Sequence, residues 1–166
     1  MILVPKALTA RAFAPYGQVV ETANAKPVSI NRGLTTRYHE LFTIDVSSRG
    51  GYPIGNIFRT APLPLPHRVT TMERHPLGSQ AFVPLQAKPF LVLVAGSGDS
   101  LRAEDLELFL TNGEQGINLY RNTWHHFNIV IESVQEFLVV DRGGPGENLE
   151  ETGVAGEAWI ERIKPA

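Results

Sequence analysis

Acid–base side chains are concentrated between residues 72 and 82, where the sequence is Met-Glu-Arg-His-Pro-Leu-Gly-Ser-Gln-Ala-Phe. In a β-strand, Glu73 and His75 project from the same face because they are two residues apart. Residues 76–79 can form a turn, after which Gln80 returns to that face. These three side chains would be costly to bury unless a metal ion or a polar substrate satisfied them. The alternative interpretation is a surface hairpin whose polar side chains are simply hydrated.

A second polar group lies in the segment 120–127, Tyr-Arg-Asn-Thr-Trp-His-His-Phe. Adjacent residues of a strand point to opposite faces, so only one of the two histidines can join an interior site. We favour His125, because it shares its face with Phe127 and Ile129, whereas His126 aligns with Asn128. The alternative is one hydrogen-bonded core histidine and one surface histidine.

Arginine is the third polar feature, because a planar guanidinium can donate two parallel hydrogen bonds to a substrate carboxylate. We expect most arginines near the predicted strands to be ordinary surface charges. The segment 31–39, Asn-Arg-Gly-Leu-Thr-Thr-Arg-Tyr-His, is rich in short polar side chains. It can form a loop over the mouth of a barrel, with Thr35 as a substrate contact, or it can be a solvated turn. The arginines concerned are Arg37, Arg59, Arg74, Arg121 and Arg142.

Short strands must position these groups, because turn-forming residues divide the chain throughout. A length of 166 residues indicates one domain over residues 1–166. The 15 Gly and 12 Pro are distributed along the whole chain, which indicates frequent turns between short elements. The stretch 89–95 is apolar on both faces and predicts a central strand. Eight predicted strands favour a barrel or sandwich: Tyr38–Val46, Ile54–Arg59, Val69–His75, Gln80–Pro84, Phe90–Ala95, Ile117–Tyr120, Trp124–Ile131 and Glu136–Asp141. After residue 141 we expect an ordered return segment.

Helical signals occur in two places. The first follows Thr9, where Ala10–Ala14 can form one or two turns before Pro15. The second begins after residue 99 or 100 and ends at Gly113, because its leucines and Phe109 can form a helical stripe. We therefore predict an all-β fold with one or two short helices.

Composition excludes several classes of protein. The chain has no cysteine, which rules out a disulfide framework, a thiolate zinc site and a cysteine nucleophile. Its net charge of -2 provides no bulk attraction for nucleic acid or an anionic membrane. Pro5 and Lys6 interrupt the amino terminus before an apolar signal region forms, and no run approaches the ~18 apolar residues of a membrane span. We therefore expect a cytoplasmic protein.

Three motifs together resemble the ureidoglycolate lyase family, also called ureidoglycolate hydrolase. They are Glu-Arg-His-Pro-Leu-Gly-Ser-Gln-Ala-Phe at 73–82, Trp-His-His at 124–126 and Val-Val-Asp-Arg-Gly-Gly-Pro-Gly-Glu-Asn at 139–148. The resemblance extends from residue 8 through Glu151 and covers almost the whole chain. It implies a cupin-type, jelly-roll-like β-barrel, usually a homodimer, that splits ureidoglycolate into glyoxylate and urea late in purine (allantoin) breakdown.

The resemblance also implies a variant of the cupin metal motif. Cupins place His-x-His-x(3,4)-Glu on one hairpin and a further His on a later strand. In this chain Glu73 stands at the first His position, His75 at the second, Gln80 at the Glu and His125 at the late His. Such nitrogen and oxygen ligands would fit a divalent first-row ion, and nickel is the metal associated with the family.

The implied reaction is an elimination at a carbon that bears a hydroxyl, a carboxylate and a urea nitrogen. It needs a base for the hydroxyl, an acid for the departing nitrogen and a cation for the carboxylate. The alternatives are a non-catalytic cupin that binds a small carboxylate, and an amidohydrolase that releases ammonia. The expected roles are Glu73, His75 and His125 as ligands or proton carriers, Gln80 as a ligand or orienting group, and Arg121 or Arg59 as the carboxylate clamp.

Overall fold

The computed structural model describes residues 1–23 and 25–163. Helix α1 (Ala10–Phe13) begins where Thr9 Oγ1 accepts a hydrogen bond from the Ala12 N–H at 3.2 Å, which confirms the first predicted helix. Within the described ranges, no helix is both long enough and apolar enough to cross a membrane. The strands are β1 (Ile2–Leu3), β2 (Lys6–Ala7), β3 (Gly17–Val20), β4 (Pro27–Ile30), β5 (Thr35–Tyr38), β6 (Tyr52–Thr60), β7 (His67–Arg74), β8 (Gln80–Pro84), β9 (Phe90–Ala95), β10 (Leu101–Arg102), β11 (Glu107–Leu110), β12 (Gly116–Leu119), β13 (Trp124–His125), β14 (Ile129–Val130), β15 (Gln135–Gly143) and β16 (Glu150–Ile160).

Two sheets form the body of the fold. The larger sheet has the order β1-β16-β7-β13-β9-β11-β2, and β10 and β14 join it through β16 and β9. The smaller sheet has the order β3-β12-β8-β15-β6, while β4 and β5 form a separate two-stranded sheet. The larger sheet curls as a half-barrel, so the predicted all-β, cupin-like barrel is confirmed. Six predicted strands agree with β6, β7, β8, β9, β12 and β15 to within two residues at each end.

An apolar core lies between the two sheets. Phe90, Val92 and Val94 of β9 pack there with residues of the smaller sheet such as Phe82 and Phe137. The alternate residues of β9 pack into a second cluster on the outer face of the larger sheet. Both faces of β9 are therefore buried, as its unbroken apolar sequence predicts.

The second predicted helix, from residue 99 or 100 to Gly113, is wrong. These residues form β10, a 3₁₀ turn at Ala103–Asp105, and β11. In β11, Leu108 packs on the outer face of the larger sheet while Phe109 packs between the sheets. That alternation is the period of a strand, and the ladder with β9 satisfies the backbone groups that a helix would have paired internally.

Two predicted strands are shorter than expected. The one over Tyr38–Val46 is wrong beyond Tyr38, because β5 ends there and residues 39–47 form no strand. In this segment a backbone group is hydrogen-bonded to a side chain instead of to a neighbouring strand: the Asp45 N–H donates to Ser79 Oγ at 2.9 Å. The strand predicted over Trp124–Ile131 is divided into β13 and β14. The expected return segment at the end of the chain is ordered and contains β16.

A tight turn carries the chain from one sheet to the other. β7 in the larger sheet ends at Arg74, and β8 in the smaller sheet begins at Gln80. Two contacts hold the turn between them: the Ser79 N–H donates to the Asp45 backbone oxygen at 2.8 Å, and the Leu77 N–H donates to Asn148 Oδ1 at 2.8 Å. The end of β7 and the start of β8 consequently lie at the same end of the interior.

Gly17 in β3 provides a test of the close pairing inside the smaller sheet. A Cβ at this position would lie 2.2 Å from the backbone oxygen of Asn118 in β12. We expect Gly17→Ala to lower the free energy of unfolding by about 1–3 kcal/mol, because the paired backbone must shift. Gly55→Ala in β6 is the matched control, since a Cβ there meets nothing within 4 Å, and we expect a change below about 0.5 kcal/mol. Guanidinium unfolding curves measure both values, and equal midpoints for the two variants would contradict the close approach.

Candidate functional site

Three side chains of metal-ligand type converge at one end of the interior. The ligand atoms of Glu73, His75 and His125 lie within 4.8 Å of one another. Strand register joins two of them, because β13 pairs with β7 so that His125 is directly opposite Glu73. Directly opposed residues of antiparallel strands share a face and have their Cβ atoms close together. His75 follows the end of β7, two residues after Glu73, and completes the group. We call these three residues the acid–base cluster.

The other neighbour of β13 shows which way the acid–base cluster faces. His125 is directly opposite Val94 of β9 as well as Glu73 of β7. Val94 belongs to the core between the sheets, so the face that it shares with His125 is the interior face. His125 is accordingly only 3% exposed.

The His125 ring is oriented by its own backbone. Its Nδ1 donates to the Thr123 backbone oxygen at 3.0 Å. A carbonyl oxygen can only accept, so Nδ1 carries a hydrogen, and in the neutral ring Nε2 presents a lone pair. Nε2 is buried without a hydrogen-bond partner and lies 3.4 Å from Glu73 Oε1. The acid–base cluster thus contains a bare imidazole nitrogen beside a carboxylate.

His75 is oriented in the same way by a distant loop. Its Nδ1 donates to the Asn148 backbone oxygen at 2.6 Å, and the Asn148 side chain accepts from the Leu77 N–H. One asparagine therefore fixes both the ring and the turn that follows it. The Nε2 atom of His75 is buried without a hydrogen-bond partner. The ring centroids of His75 and His125 lie 5.1 Å apart. The sequence reasoning did not single out Asn148 as a residue near the site.

Glu73 carries the negative charge of the acid–base cluster. Polar contact with the His125 side chain lowers the pKa of Glu73. Burial acts in the opposite direction, and the nearby imidazoles His125, His75 and His126 lower the pKa further. The balance keeps Glu73 ionised, so the cluster presents one carboxylate beside two imidazole Nε2 atoms, and a proton on either ring would be stabilised by that carboxylate. This set can accept and return a proton, and it can also coordinate a divalent ion with nitrogen and oxygen ligands.

The cavity beside the acid–base cluster has a volume of about 250 Å³. His126 also lines it, which corrects the expectation that only one of the two histidines faces inward. β13 ends at His125, so strand alternation does not extend to His126. Burial lowers the pKa of His126 to about 4, and its ring contacts that of His67 with the centroids 5.3 Å apart. The lining residues are His67, Thr70, Thr71, Met72, Glu73, His125, His126, Phe127 and Glu151.

Gln80 occupies the first position of β8 and is 5% exposed. Its Nε2 donates to Asp141 Oδ2 at 3.1 Å, and its Oε1 is buried without a hydrogen-bond partner. Asp141 did not enter the sequence-based site. Strand alternation was the available signal, because Asp141 follows the inward-facing residues Phe137 and Val139 of β15 at intervals of two.

Arg121 lies in a different cavity, with a volume of about 670 Å³. Its Nε donates to Asp45 Oδ2 at 2.8 Å, so its charge is paired there. The following residue approaches the acid–base cluster, because the Asn122 N–H donates to the His75 backbone oxygen at 3.1 Å. The lining residues of this larger cavity are Gln18, Thr43, Asp45, Pro76, Ser79, Tyr120, Arg121 and Asn122.

The other two predicted substrate contacts lie away from the acid–base cluster. Arg59 is opposite Glu136 in the ladder of β6 and β15 and forms an ion pair with it at 2.8 Å. Asp141 is opposite Ile54, five residues earlier in β6, which places Arg59 roughly 17 Å further along the strand. Thr35 lies exposed in β5, where its hydroxyl accepts from Asn31 Nδ2 at 3.2 Å. Neither placement supports the expected contact with a substrate held by the cluster.

Comparisons with known proteins identify the family. The profile of the ureidoglycolate lyase family matches residues 1–161. A ureidoglycolate lyase of Burkholderia mallei strain NCTC 10229 is 50% identical over 153 residues, which cover 92% of this chain and 89% of that protein. A ureidoglycolate lyase of Pseudomonas aeruginosa strain LESB58 is 49% identical over 144 residues, 87% of this chain and 85% of that protein. One of Azotobacter vinelandii is 46% identical over 150 residues, 90% of each chain.

The hydrogen bonds of the two cluster histidines predict their tautomers. In metal-free protein at neutral pH, we expect His75 and His125 to carry the hydrogen on Nδ1, because each Nδ1 faces a backbone carbonyl oxygen. Long-range ¹H–¹⁵N correlation spectra measure which nitrogen is protonated. His39, whose side chain is 54% exposed, is the control for a ring without such an anchor. Spectra with the hydrogen on Nε2 of His75 or His125 would contradict this orientation.

Proposed function

The chain belongs to the ureidoglycolate lyase family, and from that premise we propose that it cleaves ureidoglycolate into glyoxylate and urea in purine breakdown. The observation that supports this activity is the convergence of Glu73, His75 and His125 in one interior group. Two bare nitrogens and a carboxylate are suited to the proton transfers that this cleavage needs.

The cleavage is an elimination that consumes no water. The hydroxyl of ureidoglycolate loses its proton, its oxygen forms the aldehyde carbonyl of glyoxylate, and the carbon–nitrogen bond breaks. The departing nitrogen takes up a proton and becomes an amino group of urea. One proton is removed and one is added, so the protein must hold a proton only between the two steps.

The acid–base cluster supplies both proton transfers in this proposal. A bare Nε2 of His75 or His125 takes the hydroxyl proton, and the imidazolium that forms is stabilised by the adjacent Glu73 carboxylate. The same proton then passes to the urea nitrogen. Each anchored Nδ1 keeps the ring in place while its Nε2 gains and loses the proton.

The same three residues also fit a metal ion. Each cluster histidine aims a buried, unpaired Nε2 at a site that Glu73 completes with a carboxylate oxygen. As an alternative to proton transfer by these nitrogens, a divalent first-row ion would be held by Glu73, His75 and His125, and we propose nickel from the family resemblance. Such an ion would act as a Lewis acid that lowers the pKa of the substrate hydroxyl.

The substrate carboxylate needs a positive partner, for which we propose Arg121. The contact between the Asn122 N–H and the His75 backbone oxygen keeps this segment next to the acid–base cluster. Arg121 would have to exchange its ion pair with Asp45 for the substrate. Its side chain is 41% exposed, so this exchange requires no unpacking of the core. A homodimer and a cytoplasmic location are further proposals from the family resemblance.

A product assay tests the activity. We expect equal amounts of urea and glyoxylate, and no ammonia, from ureidoglycolate. We expect His75→Ala and His125→Ala each to lower kcat/KM by roughly 10²–10⁴-fold, because each removes an acid–base partner. His39→Ala is the control, since His39 is exposed and lies beside the neighbouring Glu40.

The outcomes distinguish the alternatives. Release of ammonia would identify an amidohydrolase, and binding without turnover would identify a non-catalytic cupin. Full turnover in both cluster variants, with circular dichroism showing a folded protein, would overturn the assignment of the acid–base cluster.

Calorimetric titration of metal-free protein with nickel tests the metal site. We expect His75→Ala and His125→Ala to lower the affinity by roughly 10²-fold or more, because even outer partners of metal ligands contribute 10–100-fold. His39→Gln is the control, because His39 is exposed and lies outside the cluster and its cavity, and its affinity should stay within a few-fold of the parent. If activity survives exhaustive chelation and elemental analysis finds no metal, the ion has no role and the acid–base mechanism stands alone.

A further inference from the structure

The hydrogen-bonded pair of Gln80 and Asp141 has no role in the mechanism above. We infer that Asp141 is a positioning residue that holds the Gln80 amide with its carbonyl oxygen directed into the interior. There the Gln80 oxygen accepts a hydrogen bond from a ureido N–H of the substrate. This inference rests on the proposed function and identifies the group that recognises the urea half of the molecule.

Both members of the pair face the interior between the sheets. Gln80 is directly opposite Leu119 of β12, which belongs to the core between the sheets, and lies two residues before the core residue Phe82. Asp141 lies two residues after Val139, which belongs to the same core. Because side chains alternate along a strand, Gln80 and Asp141 share the inward face.

The pair also lies at the end of the interior that holds the acid–base cluster. The turn at residues 76–79 connects the end of β7 directly to Gln80. Glu73 and His75 therefore approach this end from the larger sheet, and Gln80 approaches it from the smaller one. In this inference, a substrate held by the acid–base cluster at this end reaches the Gln80 oxygen on the side of the smaller sheet.

The Asp141 carboxylate leaves the Gln80 amide only one orientation. Its Oδ1 accepts from the Arg142 N–H at 2.8 Å, and its Oδ2 accepts from Gln80 Nε2 at 3.1 Å. An ionised carboxylate has no hydrogen to donate, so it can face only the amide nitrogen. The Gln80 oxygen must therefore point away from Asp141, and it is buried without a donor.

The chemistry of the substrate identifies the missing donor. The carboxylate and the ureido carbonyl of ureidoglycolate are acceptors and cannot pair with a carbonyl oxygen. The hydroxyl is a donor, but its proton must face the acid–base cluster. The ureido N–H groups are the remaining donors, and the Gln80 oxygen is an acceptor matched to them.

This hydrogen bond should act on binding more than on the rate of the chemical step. A terminal N–H of the ureido group keeps its partner before and after the carbon–nitrogen bond breaks. Its loss therefore raises KM and leaves kcat nearly unchanged. The product urea carries the same N–H donors, whereas glyoxylate carries none.

Asp141→Asn is the decisive substitution because it preserves size and shape. The Arg142 N–H requires an oxygen at the Oδ1 position, so the new amide nitrogen must face Gln80. Gln80 then has to turn its oxygen toward residue 141 and its NH₂ group toward the interior. We expect KM for ureidoglycolate to rise roughly 10–100-fold, with kcat within about threefold. Inhibition by urea should weaken by a similar factor, and inhibition by glyoxylate should not change.

The double variant Gln80→Glu/Asp141→Asn should reverse the effect. The carboxylate introduced at position 80 can accept from the amide nitrogen at position 141 with one oxygen and present its other oxygen to the interior. The formal charge of the pair stays the same as in the parent. We expect KM to return to within about fivefold of the parent value, which a variant that is merely poorly folded would not do.

Gln135 provides a matched control on the same strand as Asp141. It is 1% exposed, its Nε2 donates to the Lys88 backbone oxygen at 3.0 Å, and its Oε1 is also buried without a partner. It lies at the opposite end of β15 from Asp141. Gln135→Leu and Gln80→Leu each remove one buried glutamine amide. Only Gln80→Leu should raise KM and weaken inhibition by urea.

The possible results separate this inference from the proposed function. If the parent protein releases no urea from ureidoglycolate, the proposed function fails. If the parent is active and Asp141→Asn leaves KM and urea inhibition unchanged, the positioning role fails while the function stands. A loss of nickel affinity in Asp141→Asn that accounts for the whole change would make Gln80 a metal ligand and overturn the ureido contact. Equal effects of the two leucine variants would also overturn it.

Discussion

The site depends on the register of β13 between β7 and β9. His125 opposite Glu73 faces the interior, while the neighbouring Trp124 packs in the outer cluster of the same sheet. Trp124 is held on that face by a hydrogen bond from Nε1 to the Gly98 backbone oxygen at 2.6 Å and by Arg74, whose guanidinium carbon lies 4.4 Å from the ring centroid. A slip of one residue would exchange the two faces. The large apolar residue beside His125 therefore keeps the imidazole inside.

Long-range contacts then convert a set of polar residues into oriented groups. The backbone oxygens of Thr123 and Asn148 each bind the Nδ1 of one cluster histidine, and the carboxylate of Asp141 binds the amide nitrogen of Gln80. In each case one polar atom is anchored and the other is buried without a partner. Leaving a buried polar atom without a partner costs about 1–3 kcal/mol. A ligand that pairs with these atoms would recover that free energy.

The parts of the site that the sequence predicts are those governed by local periodicity. The spacing of two between Glu73 and His75, followed by a turn to Gln80, needs only the geometry of a strand and a short turn. The error at His126 arose because the same rule was applied past the end of β13. The false helix after residue 99 arose because leucines and Phe109 fit a helical stripe as well as the two faces of a strand. Periodicity does not show which end of a strand faces the site, so it could not indicate that Arg59 lies away from the acid–base cluster.

An unpaired buried acceptor does not by itself identify a functional residue in this fold. Gln80 and Gln135 have the same chemistry: each donates through its amide nitrogen, and each leaves its oxygen unpaired and buried. They differ in the partner and in the position. Gln135 donates to a backbone carbonyl at the end of β15 away from Asp141, whereas Gln80 donates to a carboxylate beside the turn that carries His75. Only the second arrangement lies beside the proposed acid–base groups, so position along the barrel is what distinguishes Gln80 from Gln135.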